Sequence, residues 1–162
     1  MNKSDELTQV RAALQHYASR GSFRAFSEVR QSAGRAEFRF TWFRDVEFRV
    51  VFDARRRTLT FVNLLPGIPA RSEMDRALRA FVAMYTSTDV PLHRRVELRR
   101  VGVTAVNRAG AISLVFTFKT KDTVYAVRKA VHLVHDILQD YLNDGRYVQY
   151  NVDYFNLNPE MA

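Results

Sequence analysis

The chain has 162 residues, 47% of them apolar, which is enough for one domain with a sizeable core and too few for two. It contains no cysteine, so disulfides, thiolate metal clusters and a cysteine nucleophile are excluded. The net charge is +8, and residues 1–100 hold the whole excess, with 19 basic and 11 acidic side chains. This balance favours solubility and acidic partners, although an arginine-rich composition can also reflect a GC-rich genome.

The N-terminal segment lacks the uninterrupted apolar stretch of a signal peptide, and no segment approaches the roughly 18 apolar residues of a membrane span. We therefore expect a cytoplasmic protein without a membrane partner. We also expect a single domain over residues 1–162, in which an α+β body at 4–145 carries a tail at 146–162 packed against it.

The first predicted element is a helix that begins at residues 4–6. The hydroxyl and carboxylate groups there satisfy the unpaired N–H groups of a first helical turn. Apolar residues follow at helical spacing until Gly21, which can end the helix in a left-handed conformation. Residues 23–30 have no clear pattern, and residues 31–35 predict a turn.

The pattern then changes to period two. Apolar side chains alternate with polar ones in residues 38–42 and again in residues 46–52, which predicts two antiparallel strands. Both apolar rows face the same core only if Trp42 pairs near Val46. Residues 43–45 then form a three-residue connection between the strands.

This alternation also separates the aromatic rings from the arginines. Neighbours in a strand point to opposite faces, so Phe38, Phe40 and Trp42 cannot share a surface with Arg39. Proteins that bind single-stranded nucleic acid need rings and cations along one groove. We therefore predict that the rings form the core and that the arginines lie on the opposite, solvated face.

A four-residue loop at 54–57 leads into a third strand, after which the sequence predicts a second helix with Pro69 in its first turn. Proline suits that position because its missing N–H group would have no partner there. The apolar stripe of this helix is a candidate surface for protein contacts and consists of Met74, Leu78, Phe81, Val82 and Tyr85.

A second hairpin follows at residues 96–118, with its turn at 107–110. The apolar alternation slips between Leu98 and Val101, which predicts a bulge near residues 99–100.

The last and longest predicted helix begins at Thr120 or Asp122 and ends at Gly145. The order of elements is therefore α-β-β-β-α-β-β-α, followed by the tail. This order predicts an α+β fold with three helices and a sheet of about five antiparallel strands.

The last helix carries weak candidates for a metal or catalytic site. His132, His135 and Asp136 lie three and four residues apart on one face, a spacing that can bind a metal or orient an imidazole. The histidines flank the apolar stripe, and no further ligand is evident elsewhere in the sequence. We therefore predict no metal site and no cofactor.

The same helix has an acidic C-terminal half. Asp136, Asp140 and Asp144 repeat every four residues where the helix dipole is negative. Each carboxylate is disfavoured there by about 0.3–1 kcal/mol if left alone. We predict that a positive surface offsets them, either from the arginine-rich part of this chain or from a second copy, with simple solvation as the alternative.

Clusters of arginine are the basis of an alternative in which the chain binds nucleic acid. Such clusters hold phosphates with a salt-dependent affinity, but they also form solvated edges that resist strand association. Residues 47–53 lack the glycine of the RNA-recognition signature. The candidates are Arg55, Arg56 and Arg57 on a loop and Arg94, Arg95, Arg99 and Arg100 at the second hairpin.

The stretch FRFTWF…VEFRVVFDARRRTLTFVNLLPGIP at residues 38–69 runs into a helix, and the tail contains YNVDYFNL. Together with the order of elements, these features resemble the YbjN-like family, which has the type III secretion chaperone-like fold. The resemblance covers about residues 4–157. It implies a non-enzymatic, usually homodimeric scaffold that binds other proteins and carries no cofactor.

These observations lead to three hypotheses. In the first, the chain is a homodimer that binds an unidentified protein partner and assembles through the stripe of the second helix or an exposed sheet edge. In the second, it binds nucleic acid through the arginine clusters. The third is a metal-assisted enzyme at His132, His135 and Asp136, although we expect no enzymatic activity.

Overall fold

The structure is a computed structural model that describes residues 3–32, 34–43, 46–142 and 147–155. The helices are α1 (Lys3–Ser19), α2 (Glu73–Met84), α3 (Thr123–Asp136) and α4 (Val148–Phe155). The strands are β1 (Arg24–Ser32), β2 (Arg35–Trp42), β3 (Val46–Asp53), β4 (Thr58–Leu65), β5 (Val101–Arg108) and β6 (Ala111–Phe118). A 3-10 turn at Thr120–Asp122 precedes α3, and a π-helical turn at Ile137–Tyr141 follows it.

The strands form one antiparallel sheet in the order β1-β2-β3-β4-β6-β5. The apolar sides of α1, α2 and α3 join the inward side chains of the sheet in a single core. The predicted α+β class is confirmed, with six strands rather than about five. The additional strand is β1, which occupies most of the segment that has no clear pattern in the sequence.

The alternation predicted for β2 and β3 is confirmed. Phe38, Phe40 and Trp42 are 0%, 1% and 8% exposed, whereas Arg39 lies on the other face of the sheet. Trp42 pairs with Val46, as the apolar rows require. Within the predicted connection, residues 44–45 lie outside the described part of the chain.

The start of α2 differs from the prediction. The helix begins at Glu73 and is capped by Ser72, whose hydroxyl accepts a hydrogen bond from the Asp75 N–H at 3.2 Å. Pro69 lies before the helix, where its carbonyl accepts from the Ser72 N–H at 3.1 Å. The serine cap satisfies a helical N–H group, so it determines the first turn more strongly than the proline does.

The second hairpin also begins later than predicted. β5 starts at Val101, and residues 91–100 form turns instead of a bulged strand. The N–H groups of Arg100 and Val101 both donate to the Glu97 carbonyl, at 2.8 and 3.0 Å. These turn hydrogen bonds explain the slip in the alternation before Val101, so the predicted bulge is wrong.

The C-terminal part of the described chain consists of α3, the π-helical turn and α4. Asp122 is the N-cap residue of α3, but its side chain makes no capping hydrogen bond. After α3, the Leu142 N–H donates to the Ile137 carbonyl at 3.0 Å, which closes the π-helical turn. In α4, the Tyr150 hydroxyl donates to the Pro66 carbonyl at 2.5 Å. The predicted helix end at Gly145 lies outside the described residues.

We expect Ala109→Asn to stabilise the protein. Ala109 and Gly110 are the central residues of the β5–β6 turn and have φ values of 52° and 84°. Asparagine tolerates this left-handed region better than alanine, so the free energy of unfolding should rise by about 0.5–1 kcal/mol. Urea unfolding monitored by circular dichroism measures the change. Ala70→Asn, at an exposed position whose φ is negative, is the control and should change the free energy of unfolding little. A destabilised Ala109→Asn variant would contradict the prediction.

Candidate functional site

On one face of the sheet, the described residues that line the surface come from strands and loops and not from the helices. A row of outward side chains crosses five strands in register, from Glu37 through Val51, Thr60 and Val115 to Thr104. We call this side of the sheet the open face. Its outward residues include Arg35, Glu37, Arg39, Arg49, Val51, Thr60, Val62, Thr104, Val106, Arg108, Ser113 and Val115.

The open face has a shallow concavity of about 390 Å³. Its floor consists of valine and threonine side chains, with Val51 only 8% exposed. Asp53 is the one acidic residue among the described residues that line it, and its carboxylate accepts from the N–H groups of Arg55 and Arg56. We call the four arginines that line the concavity the rim arginines: Arg35, Arg49, Arg56 and Arg108.

A buried glutamate holds two arginines of the open face in place. Arg39 and Arg49 face each other across β2 and β3, where like charges would repel. Glu37 lies between them, 3.1 Å from Arg39 and 2.5 Å from Arg49. Burial opposes the charge of Glu37, but the two guanidinium groups outweigh this effect and keep its pKa below the usual value. The carboxylate therefore stays ionised and keeps both arginines on this face.

The loop at Ala54–Arg57 lies next to the open face, at the ends of β3 and β4. Arg55, Arg56 and Arg57 are exposed, and Arg56 lines the concavity. The prediction of a loop at residues 54–57 that carries three arginines is confirmed. It did not show that Arg56 would meet Arg35, Arg49 and Arg108, which come from three different strands.

The predicted contact stripe of α2 faces the core of its own chain. Leu78, Val82 and Tyr85 are 0%, 6% and 3% exposed, and Met74 and Phe81 are partly buried against the same core. Side chains that form the core cannot contact a partner unless the domain opens. Leu78, Val82 and Tyr85 are therefore not available for docking, which corrects the prediction for these three residues, whereas Met74 and Phe81 keep part of their surface exposed.

The arginines of the 91–100 segment are mostly engaged within the chain. Arg95 donates to the Val90 carbonyl from Nε and Nη2, at 3.3 and 3.1 Å. Arg100 donates to Asp122 at 2.9 Å, and its guanidinium lies 3.6 Å from the centre of the Tyr125 ring. These hydrogen bonds and the cation–π contact hold the side chains of Arg95 and Arg100 against the body.

Arg94 belongs to a network with Tyr85 and Asp136. Its Nη2 donates to the Tyr85 hydroxyl at 2.9 Å and to Asp136 Oδ2 at 3.1 Å, and it lies 3.6 Å from Asp140. With Arg94, Arg95 and Arg100 engaged, the predicted nucleic-acid cluster at this segment is not formed. Only Arg99 of that cluster remains exposed without such a contact among the described residues.

Asp136 is the centre of this network. Its Oδ2 accepts from the Tyr85 hydroxyl at 2.5 Å as well as from Arg94, and its Oδ1 lies 3.3 Å from His135 Nδ1. Burial opposes the charge, but these hydrogen bonds outweigh it and lower the pKa of Asp136. The prediction that arginines of the same chain offset the acidic helix is confirmed for Asp136 and Asp140. Asp144 lies outside the described residues.

The weak metal candidates do not converge on a common point. His132 lines a groove between α1 and α3, whereas Asp136 bonds to Tyr85 and Arg94. His135 packs near the rings of Trp42 and Phe43. Within the described ranges, no group of three histidine, aspartate or glutamate side chains could hold a metal ion.

The two edges of the sheet differ in regularity. β1 pairs with β2 through two register shifts, near Arg24–Ser27 and near Glu28–Arg30. Such irregularities twist an edge strand and hinder its pairing with another chain. β5 pairs with β6 without a shift from Val101 to Arg108, and Arg108 is its one charged residue. β5 is therefore the less protected edge.

A groove of about 360 Å³ runs beside β5, between this strand and α2. Leu98 lines it and is 61% exposed, and Val103 of β5 contributes to its wall. Arg79 of α2 crosses the edge and donates to the Ala105 carbonyl at 2.7 Å. This hydrogen bond covers one backbone group of the edge and leaves the neighbouring positions open.

No family model, curated protein or solved structure matches the chain. The resemblance to the YbjN-like family therefore stays a prediction from the sequence. Among the described helices, none combines the length and the apolar character that a transmembrane span requires.

We expect Asp136→Asn to lower the free energy of unfolding at about pH 7 and to lower it by less in acid. The depressed pKa of Asp136 means that the carboxylate stabilises the folded state above its unfolded pKa of about 3.9. This contribution is lost as the pH falls through the lower folded pKa, because the wild-type side chain is then also neutral. The difference in the free energy of unfolding should be about 1–3 kcal/mol at neutral pH.

Urea unfolding of both proteins between about pH 7 and pH 3 measures this dependence. Asp89→Asn is the control, because the Asp89 side chain is exposed and forms no ion pair or hydrogen bond with the described residues. A difference between wild type and Asp136→Asn that stays constant as the pH falls would contradict the assignment.

Proposed function

We propose that this chain is a non-enzymatic, cytoplasmic protein-binding module that docks an acidic polypeptide segment on its open face and works as a homodimer. The observation that carries the docking proposal is the concavity of about 390 Å³, which has a valine and threonine floor and the four rim arginines around it. Protein interfaces commonly combine a less polar centre with a polar rim, and arginine is enriched in them. A net charge of +8 favours an acidic partner.

The same face is a weaker platform for single-stranded nucleic acid. Base stacking needs aromatic side chains on the surface that carries the cations. The rings of Phe38, Phe40 and Trp42 are instead buried on the other side of the sheet. The exposed arginines at 55–57, of which Arg56 lines the concavity with Arg108 and Arg35, support phosphate contacts as a second candidate function.

The expected result for the docking proposal is that the Arg56→Glu/Arg108→Glu double variant binds an acidic peptide at least about tenfold more weakly than wild type. Fluorescence anisotropy with a labelled peptide of alternating glutamate and valine measures the affinity at several salt concentrations. Both arginines are exposed and line the concavity, so their replacement leaves the core intact. Arg99→Glu is the matched control, since Arg99 is exposed away from the open face.

Labelled single-stranded and double-stranded oligonucleotides are titrated in parallel. Peptide binding that the double variant leaves unchanged would refute docking at the rim arginines. If oligonucleotides bind more tightly than the peptide and lose affinity in the double variant, the nucleic-acid candidate replaces the protein-binding one. A steep salt dependence is expected for the oligonucleotides in that case.

The homodimer is supported by the regular edge at β5. A two-residue turn joins β5 to β6, with Arg108 paired to Ala111. Arg108 and every second residue before it therefore form hydrogen-bonded pairs with β6. The backbone groups of Val103 and Ala105 then point away from β6, which agrees with the Arg79 hydrogen bond to the Ala105 carbonyl. A second β5 strand can pair in an isologous contact with the outward groups of Val103, which the Arg79 hydrogen bond leaves open.

We expect the wild-type chain to be a dimer at micromolar concentration and Val103→Pro to be a monomer. Proline removes the outward N–H group of Val103 but no hydrogen bond to β6, so the sheet within the chain can persist. Light scattering coupled to gel filtration measures the mass, and circular dichroism verifies that the variant is folded. Val103→Ala retains the N–H group and should remain dimeric. A monomeric wild type, or a dimeric and folded Val103→Pro variant, would rule out assembly through β5.

A further inference from the structure

A groove of about 650 Å³ lies between α1 and α3, on the helical side of the domain. Small-molecule sites in proteins usually range from about 300 to 1,000 Å³. We call it the α1–α3 groove. It lies apart from the open face, shares no lining residue with it and does not depend on the function proposed above.

The two ends of the α1–α3 groove differ in polarity. The Thr120 hydroxyl donates to Glu6 at 2.7 Å, which holds the beginning of α1 near the beginning of α3. Residues later in both helices therefore lie toward the same end of the groove. Apart from Gln9, the earlier positions are small or apolar and include Ala12, Val124 and Val127, of which Val124 is 60% exposed.

The later positions are polar and positively charged. Arg20, just after α1, and Arg128 from α3 line the groove together with Tyr17. Burial raises the pKa of the Tyr17 hydroxyl, and the positive charges of Arg128 and Arg20 offset only part of this rise. His132 lines the same end, and burial together with the charges of Lys129 and Arg128 lowers its pKa, so its imidazole is neutral near pH 7.

The charge of this end has no counterpart within the site. None of the described residues that line the groove is acidic. The salt bridges of the described residues involve other arginines, so Arg20 and Arg128 have no carboxylate partner there. Two guanidinium groups can bind one carboxylate through charge-assisted hydrogen bonds, and a phenol and a neutral imidazole can add neutral ones.

We infer that the α1–α3 groove binds a free, single-chain amphiphilic carboxylate, such as a medium-chain fatty acid. Its apolar chain lies along Ala12, Val124 and Val127, and its carboxylate lies between Arg20 and Arg128. The separation of an apolar and a cationic end within one groove matches the separation of tail and head in such a molecule. A neutral ligand of the same length would gain only weaker hydrogen bonds from the guanidinium groups, and a cationic one would be repelled by them.

Titration with laurate below its critical micelle concentration tests the inference, with isothermal calorimetry as the measurement. Wild type should bind laurate at least about tenfold more tightly than the matched alcohol, dodecanol, and than dodecyltrimethylammonium. Arg20→Gln and Arg128→Gln should each weaken laurate binding by about tenfold or more. Val124→Glu should weaken it as well, because it places a carboxylate beside the apolar chain.

All three positions are exposed, so these variants should retain the fold, which circular dichroism verifies. Arg99→Gln, outside the groove, is the control and should bind laurate as wild type does. In the proton spectrum, laurate should shift the ring signals of His16 and His132, which line the groove, more than those of His93, which does not.

Two further binding experiments test for other occupants of the groove. An acidic amphipathic peptide that binds in an Arg128-dependent way while laurate does not would make the groove a protein-docking site and overturn the inference. Cosedimentation with vesicles of anionic phospholipid, in the absence of laurate binding, would indicate a membrane surface and overturn it too. Equal affinity for laurate, dodecanol and dodecyltrimethylammonium would mean that the guanidinium groups do not bind the carboxylate, and it would overturn the inference.

Discussion

The alternation of side chains along the strands determines both surfaces of the sheet, because a residue that points toward the helices leaves its neighbours on the open face. Phe40 represents the inner side, where its ring stacks on Phe23 with centroids 3.9 Å apart and is 1% exposed. Burying one such ring contributes about 1.5–3 kcal/mol. Arg39, its neighbour, lies outward and shares Glu37 with Arg49. The core therefore fixes which charges the open face presents.

The sequence was informative where one local pattern acts without a competing signal. The pairing of Trp42 with Val46 followed from two apolar rows that had to face one core. β1 was missed because its two register shifts interrupt the alternation that identifies a strand. The start of α2 was misplaced because two signals compete there, and the side-chain cap at Ser72 prevails over Pro69.

The candidate site could be predicted only in part, because it depends on contacts between distant residues. Composition does not distinguish Arg94, which bonds to Asp136 of α3, from Arg56, which lies exposed at the open face. Arg35 and Arg108 come together only through the strand order of the folded sheet. The carboxylate run at Asp136 and Asp140 did indicate that a cation would be near, since a helix C-terminus disfavours uncompensated negative charge.

The strand order has a consequence for how the chain folds. β4 pairs with β6, so Thr58 lies opposite Thr117, whereas the other described strand pairs join elements that are adjacent in sequence. Closing the long segment between β4 and β6 requires more loss of chain entropy than forming the local hairpins. We therefore expect the β2–β3–β4 meander and the β5–β6 hairpin to form first. Their association along the β4–β6 seam then limits the rate of folding, and until that step the inner edge of β6 is open to aggregation.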